Sequence, residues 1–367
     1  MRYNSFCDDF GPVNMNSVVD FCKLLQSEIE SFPNSKIIFA IDEGRRSLTN
    51  AIFLLGAFMI LNLNMSASNV SEKFAWVDST QVEPYRDATF SKPDFHLHLI
   101  DCWRGLERGR SLGWIRFASS GYMWGGIDVE QYEHYDNSAN GNLHQVVPGK
   151  FVAFQGPRDL AGAEYRDHPC GGRDFSPSFY VPVFRDMGVT DVVRLNEPHY
   201  AAESITSHGL RHHAMEFDDC TCPPDHVVAA FLRAADSAPG AVAVHCRAGL
   251  GRTGTLIALY MMRSYGFTAR EAMGWLRIMR PGSVIGSQQR YLCHVAAAVA
   301  AAQYLRATPG TAAAAAAAAA VADAVSGSGR GAAAPVGPAV LAAQVEKGVR
   351  RRHALAAAEA VLPERGD

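Results

Sequence analysis

The segment that most constrains the fold is Val244–Gly254, which reads V-H-C-R-A-G-L-G-R-T-G. It starts at the end of Ala241–Val244, an apolar run that predicts a short buried strand. It leads into Thr253–Ser264, where apolar residues recur at helical spacing, and a capping box predicts a second helix from Thr268 to about Arg280. Strand, glycine-rich turn and helix in this order predict a mixed α/β fold.

The same segment contains the residue types that bind phosphate and attack phosphorus. Successive backbone N–H groups of such a loop can point inward as an anion-binding nest, and the following helix adds its positive N-terminal end. This field favours the thiolate, which predicts Cys246 as a nucleophile. Arg252 can grip two phosphate oxygens, and the Thr253 hydroxyl can donate to the departing sulfur. The predicted phosphate-binding residues are Arg247, Ala248, Gly249, Leu250, Gly251 and Arg252.

Two other interpretations fit the same letters. The glycines match the dinucleotide-binding pattern G-x-G-x-x-G, but that site needs an acidic residue at the end of a second strand about 20 positions on. Glu271 comes at that distance inside a predicted helix, which disfavours a nucleotide site. A lone cysteine is ordinarily a buried structural residue, and the arginine six positions after Cys246 disfavours that role.

A cysteine phosphatase also needs an acid to protonate the departing oxygen. The turn-rich stretch Phe217–Asp225, here called the acid loop, precedes a predicted helix and contains three aspartates. Asp225 is predicted to cap that helix. Asp219 is therefore the candidate general acid, and later the general base for water, with Asp218 as the alternative.

Two smaller features complete the candidate site. A neutral amide can orient an attacking water without taking its proton, and Gln288 is the candidate for this role. The pair Cys220 and Cys222 lacks other clustered ligands, so we predict no metal site and no cofactor.

The N-terminal part repeats the order of strand, turn and helix. Lys36–Ile41 is predicted as a strand, Asp42–Ser47 as a turn, and Leu48–Leu61 as an apolar helix, with a further helix over Val70–Trp76. The turn contains no cysteine. We interpret the repeat as a duplication whose first copy lost the nucleophile, although two unrelated α/β domains would show the same order.

Composition and charge disfavour several classes of protein. With 34 basic and 37 acidic residues the net charge is −3, which provides no global basic field for nucleic acid. The eight cysteines are scattered without a Cys-x-x-Cys pair, unlike a secreted disulfide framework or a zinc ribbon. We expect no signal peptide, and no membrane span because the longest apolar run, Ala51–Leu61, has 11 residues.

The composition changes abruptly after Leu305. The remaining residues are mostly alanine, glycine, proline and valine without any aromatic side chain, so 306–367 is predicted to be a disordered Ala/Gly-rich tail. The basic cluster Arg350–Arg352 fits either a nuclear-localisation signal or a solvated charge run.

The stretch His245–Tyr291, which contains the cysteine loop and the motif R-P-G-S-V-I-G, resembles the CDC14 family of dual-specificity phosphatases. The resemblance extends over about residues 8 to 300 through the motifs Asp9–Pro12, Tyr85–Phe90, Tyr132–Tyr135, Val147–Phe151 and Val193–Asn196. It implies two tandem cysteine-phosphatase-like α/β domains joined by a linker helix, of which only the second is catalytic. We therefore predict a non-catalytic domain over 1–127, an acidic linker over 128–150 and a catalytic domain over 151–305.

The resemblance also implies roles for single residues. Cys246 matches the nucleophile, Arg252 the phosphate clamp, Asp219 the acid and Gln288 the water-positioning residue. Two further residues, Glu133 and Asp136, match an acidic groove for a basic residue of the substrate. The ordinary alternative for this acidic stretch is a solvated linker face.

The function implied by the resemblance is hydrolysis of phosphoserine, phosphothreonine and phosphotyrosine through a phosphocysteine intermediate. Ser-Pro sites of proline-directed kinases with a basic residue downstream are the implied substrates, in the cell cycle or at the cilium. The implied partners are phosphoproteins, without nucleic acid or membrane. The implied location is the nucleus and cytoplasm, including the centrosome, spindle or basal body.

The sequence departs from the family in the acid loop, where Cys220 follows the aspartate in place of the usual glycine. A side chain there can alter loop closure, so a phosphopeptide-binding scaffold with impaired turnover is the alternative function. A further hypothesis is a disulfide from Cys220 or Cys222 to Cys246 under oxidation. An unchanged rate of inactivation by peroxide in a double variant of Cys220 and Cys222 would exclude that disulfide.

An inositol-lipid phosphatase is the second enzymatic alternative. Such sites usually place lysines in the loop to hold several phosphates. Between Cys246 and Arg252 the only cation is Arg247, which disfavours that substrate class.

Overall fold

The structure of the chain is a computed structural model that describes residues 3–117, 123–169 and 172–307. The helices of this part are α1 Met15–Ser31, α2 Arg45–Leu61, α3 Ala67–Lys73, α4 Leu99–Ser111, α5 Val129–Asp136, α6 Pro177–Asp186, α7 Glu203–Thr206, α8 Asp225–Ser237, α9 Gly251–Tyr265, α10 Ala269–Met279 and α11 Ser287–Ala307. The strands are β1 Arg116–Phe117, β2 Met123–Trp124, β3 Leu143–Val147, β4 Phe151–Phe154, β5 Tyr165–His168, β6 Gly172–Phe175, β7 Val189–Arg194, β8 Arg211–Ala214 and β9 Ala241–His245.

The largest sheet has five strands in the order β3-β4-β9-β7-β8. The last four strands of that order run parallel, and β3 pairs antiparallel with β4. All five residues of β9 are buried, as expected for a central strand covered on both faces. The predicted strand Ala241–Val244 is therefore confirmed and is one residue longer. Its carboxyl end points to the edge of the sheet where ligands of α/β proteins bind.

The two helices predicted after this strand are also present. The first, α9, starts two residues earlier than predicted. The capping box of α10 is formed, because Glu271 N donates to Thr268 Oγ1 at 3.3 Å and Thr268 N donates to Glu271 Oε2 at 2.8 Å. This helix ends at Met279, two residues before Pro281.

The N-terminal part packs against this unit through contacts between α4 and α10. The two helices approach closely because Gly105 has no side chain: a Cβ there would lie 2.6 Å from the Glu271 carbonyl oxygen. A second link between the two parts is a hydrogen bond at 2.7 Å, which Gly286 N donates to the Asp87 carboxylate. One continuous hydrophobic core contains buried residues from both parts, from Phe10 to Leu292.

The predicted strand Lys36–Ile41 is wrong. These residues form no strand pairing and no helix, and Ile38 is 80% exposed. A strand needs a neighbour that bonds its N–H and C=O groups, and none of the described strands pairs with this segment. The segment lines a cavity of about 950 Å³ together with residues of α1, of α2 and of the chain before α1. The first part therefore does not repeat the parallel sheet of the second.

Two predicted helix boundaries are also corrected. The helix predicted over Val70–Trp76 spans Ala67–Lys73, because Ser66 caps it by accepting a hydrogen bond from Asn69 N at 3.1 Å. The cap of α8 is Pro224, and Asp225 is its first helical residue.

The mixed α/β class is confirmed, and the predicted domain boundaries remain predictions. Within the acidic stretch, α5 begins after Asp128, whose side chain accepts a hydrogen bond from Gln131 N at 3.0 Å. Residues 308–367, with most of the predicted disordered tail and its basic cluster, lie outside the described residues. Among the helices described, none has both the length and the apolar character needed to cross a membrane.

Candidate active site

The phosphate loop, Cys246–Arg252, connects the central strand β9 to α9. The carbonyl oxygens of its first four residues accept hydrogen bonds from outside the loop: Cys246 O from His245 Nδ1 at 3.0 Å, Arg247 O from Gly156 N at 3.1 Å, Ala248 O from Arg280 Nη2 at 2.9 Å, and Gly249 O from Arg280 Nε at 2.7 Å. In a trans peptide the N–H points away from the preceding carbonyl. The loop therefore turns its N–H groups toward its own centre.

Three of these inward N–H groups have no acceptor within the described part of the chain. The N–H groups in question are those of Ala248, Gly249 and Leu250. Backbone N–H groups at a buried position are normally paired. A row of unpaired ones at a helix N-terminus is suited to bind an anion.

Gly249 is required for this backbone path. Its φ of +68° lies in the left-handed region that glycine adopts without cost. A Cβ at this position would lie 1.9 Å from the Phe154 carbonyl oxygen on the neighbouring strand β4. Any side chain would push the loop out of position.

Cys246 lies at the start of the loop and is 3% exposed. Its neighbour His245 is fully buried and accepts a hydrogen bond through Nε2 from the Tyr200 hydroxyl at 2.8 Å. Burial is the main cause that lowers the pKa of His245 to about 3, so the imidazole is neutral. The proton therefore lies on Nδ1, which donates to the Cys246 carbonyl and fixes the first residue of the loop.

The Arg252 side chain is fixed by hydrogen bonds to two backbone carbonyls. Its Nη1 donates to the carbonyl oxygens of Leu195 at 3.2 Å and Phe217 at 2.9 Å, and the side chain is almost fully buried. Its Nε lies 3.1 Å from Oδ1 of Asp219 in an ion pair that is not aligned as a hydrogen bond. The Arg252 Nε and the Thr253 hydroxyl are thus buried without a hydrogen-bond partner in the described chain. The predicted bond from Thr253 to the Cys246 sulfur is accordingly not formed in this structure.

Of the three aspartates in the acid loop, only Asp219 forms an ion pair with Arg252. The side chain of Asp219 is one-third exposed, whereas Asp218 and Asp225 face solvent. A group that lies beside Arg252 and remains open to solvent can deliver a proton to a substrate oxygen. The geometry therefore favours Asp219 over its two neighbours.

Cys220 occupies a left-handed backbone position with φ of +60°. Glycine adopts this conformation without strain, whereas it costs about 1–2 kcal/mol for a residue with a side chain. The thiol is buried against Leu250 and Ile285. Burial, aided by the negative charge of Asp219, raises the pKa of Cys220 to about 12, so the thiol is protonated at neutral pH. Cys220, Cys222 and Cys246 are free thiols.

Gln288 connects the acid loop to the beginning of α9. It is fully buried, its Nε2 donates to the Thr221 carbonyl at 3.0 Å, and its Oε1 accepts from Ile285 N at 3.2 Å. The amide lies against Gly251, where a Cβ would come within 3.0 Å of Oε1. Gln288 is thus placed beside both loops, with each end of its amide bonded to the protein.

The predicted acidic groove lies on α5, outside this cluster. Glu133 is exposed there. Asp136 is half-buried, because its Oδ2 accepts a hydrogen bond from Asn14 Nδ2 at 2.9 Å and its Oδ1 lies 2.8 Å from His144 Nε2. The structure therefore brings together Cys246, Arg252, Thr253, Asp219 and Gln288 and places the two groove residues on a separate helix.

Sequence reasoning missed the residues that hold the loop from outside, namely Gly156, Tyr200, His144 and Arg280. They come from distant parts of the chain, and nothing in their spacing links them to Cys246. Only Arg280, inside the quoted motif R-P-G-S-V-I-G, offered a signal. The described residues contain no group of three or more His, Cys, Asp or Glu side chains that could hold a metal ion.

Two family models match the chain: "Dual specificity protein phosphatase, N-terminal half" over residues 1–109 and "Dual specificity phosphatase, catalytic domain" over residues 197–296. Over 294 residues the chain is 36% identical to dual specificity protein phosphatase CDC14C of Symphalangus syndactylus, which covers 80% of this chain and 58% of that protein. It is 38% identical over 292 residues to CDC14A of Homo sapiens, which covers 79% of this chain and 47% of that protein.

Among solved structures, a putative protein tyrosine phosphatase from Leishmania major is similar with a TM-score of 0.32 and 25% identity, over 39% of this chain and 85% of that chain. The chain spans about half the length of the curated relatives it matches. It belongs to the CDC14 family of dual-specificity phosphatases.

Proposed function

We propose that the chain is a cysteine-dependent protein phosphatase that hydrolyses phosphoserine, phosphothreonine and phosphotyrosine. The observation that carries this proposal is the phosphate loop. The carbonyls of its first four residues are bonded to protein outside the loop, and no described group accepts from the N–H groups of Ala248, Gly249 and Leu250. Such donors stabilise the charge of the transferring phosphoryl group and need no rearrangement during the reaction.

The first step transfers the phosphoryl group to the enzyme. The Cys246 thiolate attacks phosphorus, the bond from phosphorus to the substrate oxygen breaks, and that oxygen takes the proton of the Asp219 carboxyl group. Arg252, anchored to two carbonyls through Nη1, is positioned to bind the equatorial phosphate oxygens. The products are the dephosphorylated hydroxyl and a phosphocysteine.

The second step releases phosphate. A water molecule attacks phosphorus, and the Asp219 carboxylate takes its proton. The sulfur leaves as a thiolate, which the Thr253 hydroxyl is free to stabilise because it has no other partner in the described chain. Gln288 lies beside both loops and is proposed to orient the water.

We infer that the preferred substrates carry a basic residue downstream of a phosphoserine-proline pair. Glu133 and Asp136 on α5 would face that cation, because two carboxylates near a phosphate site favour a peptide that is negative at one end and positive at the other. The family likeness supports phosphoprotein substrates in general. A role in the cell cycle or at the cilium, and a location in the nucleus and cytoplasm including the centrosome, spindle or basal body, belong to the same proposal.

A phosphopeptide-binding scaffold is the second candidate, and Cys220 is the observation that favours it. The strained backbone at this residue sits directly after Asp219 and can hold the acid loop away from its reactive position. Both candidates bind phosphopeptides, whereas only the enzyme forms and hydrolyses phosphocysteine.

The experiment compares the chain with its Cys246→Ser variant on paired peptides that contain phosphoserine, proline and either lysine or alanine three positions after the serine. We expect turnover by the wild type, faster with lysine, and capture without turnover by the variant. Cys293→Ser, at a half-buried cysteine of α11, is the matched control and should remain active. Binding without any product in a single turnover of the wild type would favour the scaffold.

A further panel separates the contribution of the acidic helix. Glu133→Gln is expected to reduce the preference for the lysine peptide and to leave the alanine peptide unaffected. Equal loss on both peptides would contradict the proposed contact with the substrate cation. Faster turnover of phosphoinositide vesicles than of peptides would contradict the proposed substrate class.

A further inference from the structure

A chain of three side chains joins the acidic helix α5 to the phosphate loop. Asp136 Oδ1 lies 2.8 Å from Nε2 of His144, and Nδ1 of His144 lies 2.8 Å from Nη1 of Arg280. Arg280 then donates through Nε to the Gly249 carbonyl at 2.7 Å and through Nη2 to the Ala248 carbonyl at 2.9 Å. The last two bonds are among those that turn the loop carbonyls outward.

The direction of every bond in this chain is determined. A guanidinium can only donate, so Nδ1 of His144 must accept the hydrogen bond from Arg280. The imidazole proton therefore lies on Nε2 and is donated to the Asp136 carboxylate. His144 is thus a neutral imidazole that passes polarisation from a carboxylate to a guanidinium.

The burial of His144 and Arg280 raises the energetic cost of losing any of these hydrogen bonds. His144 and Arg280 are each 2% exposed, and a guanidinium taken out of water needs bonded acceptors and a compensating negative charge. Nη1 of Arg280 also donates to Asn142 O and Oδ1, each at 3.1 Å, but these acceptors are neutral. The hydrogen-bonded chain through His144 leads to a carboxylate, that of Asp136.

We propose that Asp136, His144 and Arg280 are positioning residues that hold the Ala248 and Gly249 carbonyls outward and thereby keep the phosphate loop open for an oxyanion. The inference rests on the proposed phosphatase activity, but it assigns Asp136 a role beyond contact with the substrate. A contact with the substrate's basic residue affects only peptides that carry one, whereas the positioning residues affect every phosphate monoester.

The test measures the affinity for tungstate, an oxyanion that needs the loop but no turnover, together with kcat/KM on an aryl phosphate that has no basic group. His144→Phe keeps the ring and its contact with Tyr132 but removes both nitrogen bonds. Asp136→Asn removes the charge and keeps the shape. Each variant is expected to weaken tungstate binding and to lower kcat/KM about tenfold.

Two further variants separate positioning from a general loss of stability. Tyr132→Phe removes a different hydrogen bond of α5, from Tyr132 Oη to the Met279 carbonyl at 2.9 Å, immediately beside Arg280. It is expected to lower the unfolding midpoint without changing tungstate affinity. His144→Gln can still accept from Arg280 and donate to Asp136, and it should restore most of the affinity lost in His144→Phe.

The outcomes are distinguishable. Unchanged tungstate affinity in Asp136→Asn and His144→Phe would overturn the inference, as would an equal loss in Tyr132→Phe. If His144→Phe does not fold, an unchanged tungstate affinity of Asp136→Asn is by itself sufficient to overturn the inference. A wild-type chain that binds tungstate but does not hydrolyse the aryl phosphate would refute the proposed activity, and the affinities of the variants would still test the positioning residues.

Discussion

Substitution of Gly249 by alanine tests whether the backbone path of the phosphate loop produces the activity. The new Cβ would lie 1.9 Å from the Phe154 carbonyl oxygen. An ordinary contact between carbon and oxygen is about 3.3 Å, so one of the two groups must move by about 1.4 Å. Phe154 belongs to β4, which is paired on both sides in the sheet, so the loop is the part that gives way.

This displacement has a predictable effect on the reaction. A misplacement of about 1 Å in a catalytic site costs about 100-fold in rate, so Gly249→Ala is expected to lower kcat/KM at least that much. The left-handed φ of +68° adds about 1–2 kcal/mol of strain to an alanine, which lowers the free energy of unfolding. Steady-state kinetics on an aryl phosphate and urea unfolding measure the two effects separately.

Gly188→Ala is the matched control. Gly188 has nearly the same backbone, with φ of +66°, but no atom lies within 4 Å of the position that a Cβ would take. This variant should lose a similar 1–2 kcal/mol of stability from strain and keep its kcat/KM. If Gly249→Ala retained activity within twofold of the wild type, or if Gly188→Ala lost as much activity, the reasoning would be refuted.

Three further predictions concern the acid, the strained cysteine and the buried histidine. Asp219→Asn is expected to lower kcat on phosphoserine peptides by about 10²–10⁴-fold and to affect aryl phosphates less, because a phenolate leaves without an acid; equal losses on both substrates would contradict the assignment. The free energy of unfolding should be about 1–2 kcal/mol higher for Cys220→Gly than for Cys220→Ala, since both lack the thiol and only glycine relieves the strain of the φ of +60°. Urea unfolding that shows the alanine variant to be the more stable would contradict the strain at this position. Burial lowers the pKa of His245 to about 3, below the value of about 6.5 expected in the unfolded chain, so unfolding takes up a proton as the pH falls from 6.5 toward 3. The neutral imidazole is therefore fully compatible with the fold above pH 6.5, and the free energy of unfolding should fall by about 2 kcal/mol from this group by pH 5; a His245→Asn variant with an equally steep loss would exclude His245 as the cause.

The part of the site that could be predicted from the sequence is the part that is local in the chain. The strand β9, the phosphate loop and α9 follow one another within 25 residues, so composition and spacing alone locate them. The capping box at Thr268 is likewise a contact between residues three positions apart. Such features depend on short-range geometry that the sequence displays directly.

The features that could not be predicted depend on distant partners. Lys36–Ile41 has the composition of a strand, but strand formation needs a neighbour, and composition does not reveal whether one exists. Gly156 and Arg280 lie 90 positions before and 34 positions after Cys246, and only the assembled sheet and α10 bring them to the loop carbonyls. The strain at Cys220 is similarly invisible in the sequence without its backbone angle.

The central claim is that the sulfur of Cys246 attacks phosphorus, and acid quench of the chain during turnover of a phosphopeptide tests it most directly. Mass spectrometry of the digested protein should find one phosphoryl group on the peptide that contains Cys246, and none in the Cys246→Ser variant. Turnover without a phosphoryl group on the peptide that contains Cys246, or the same modification in the variant, would contradict the account.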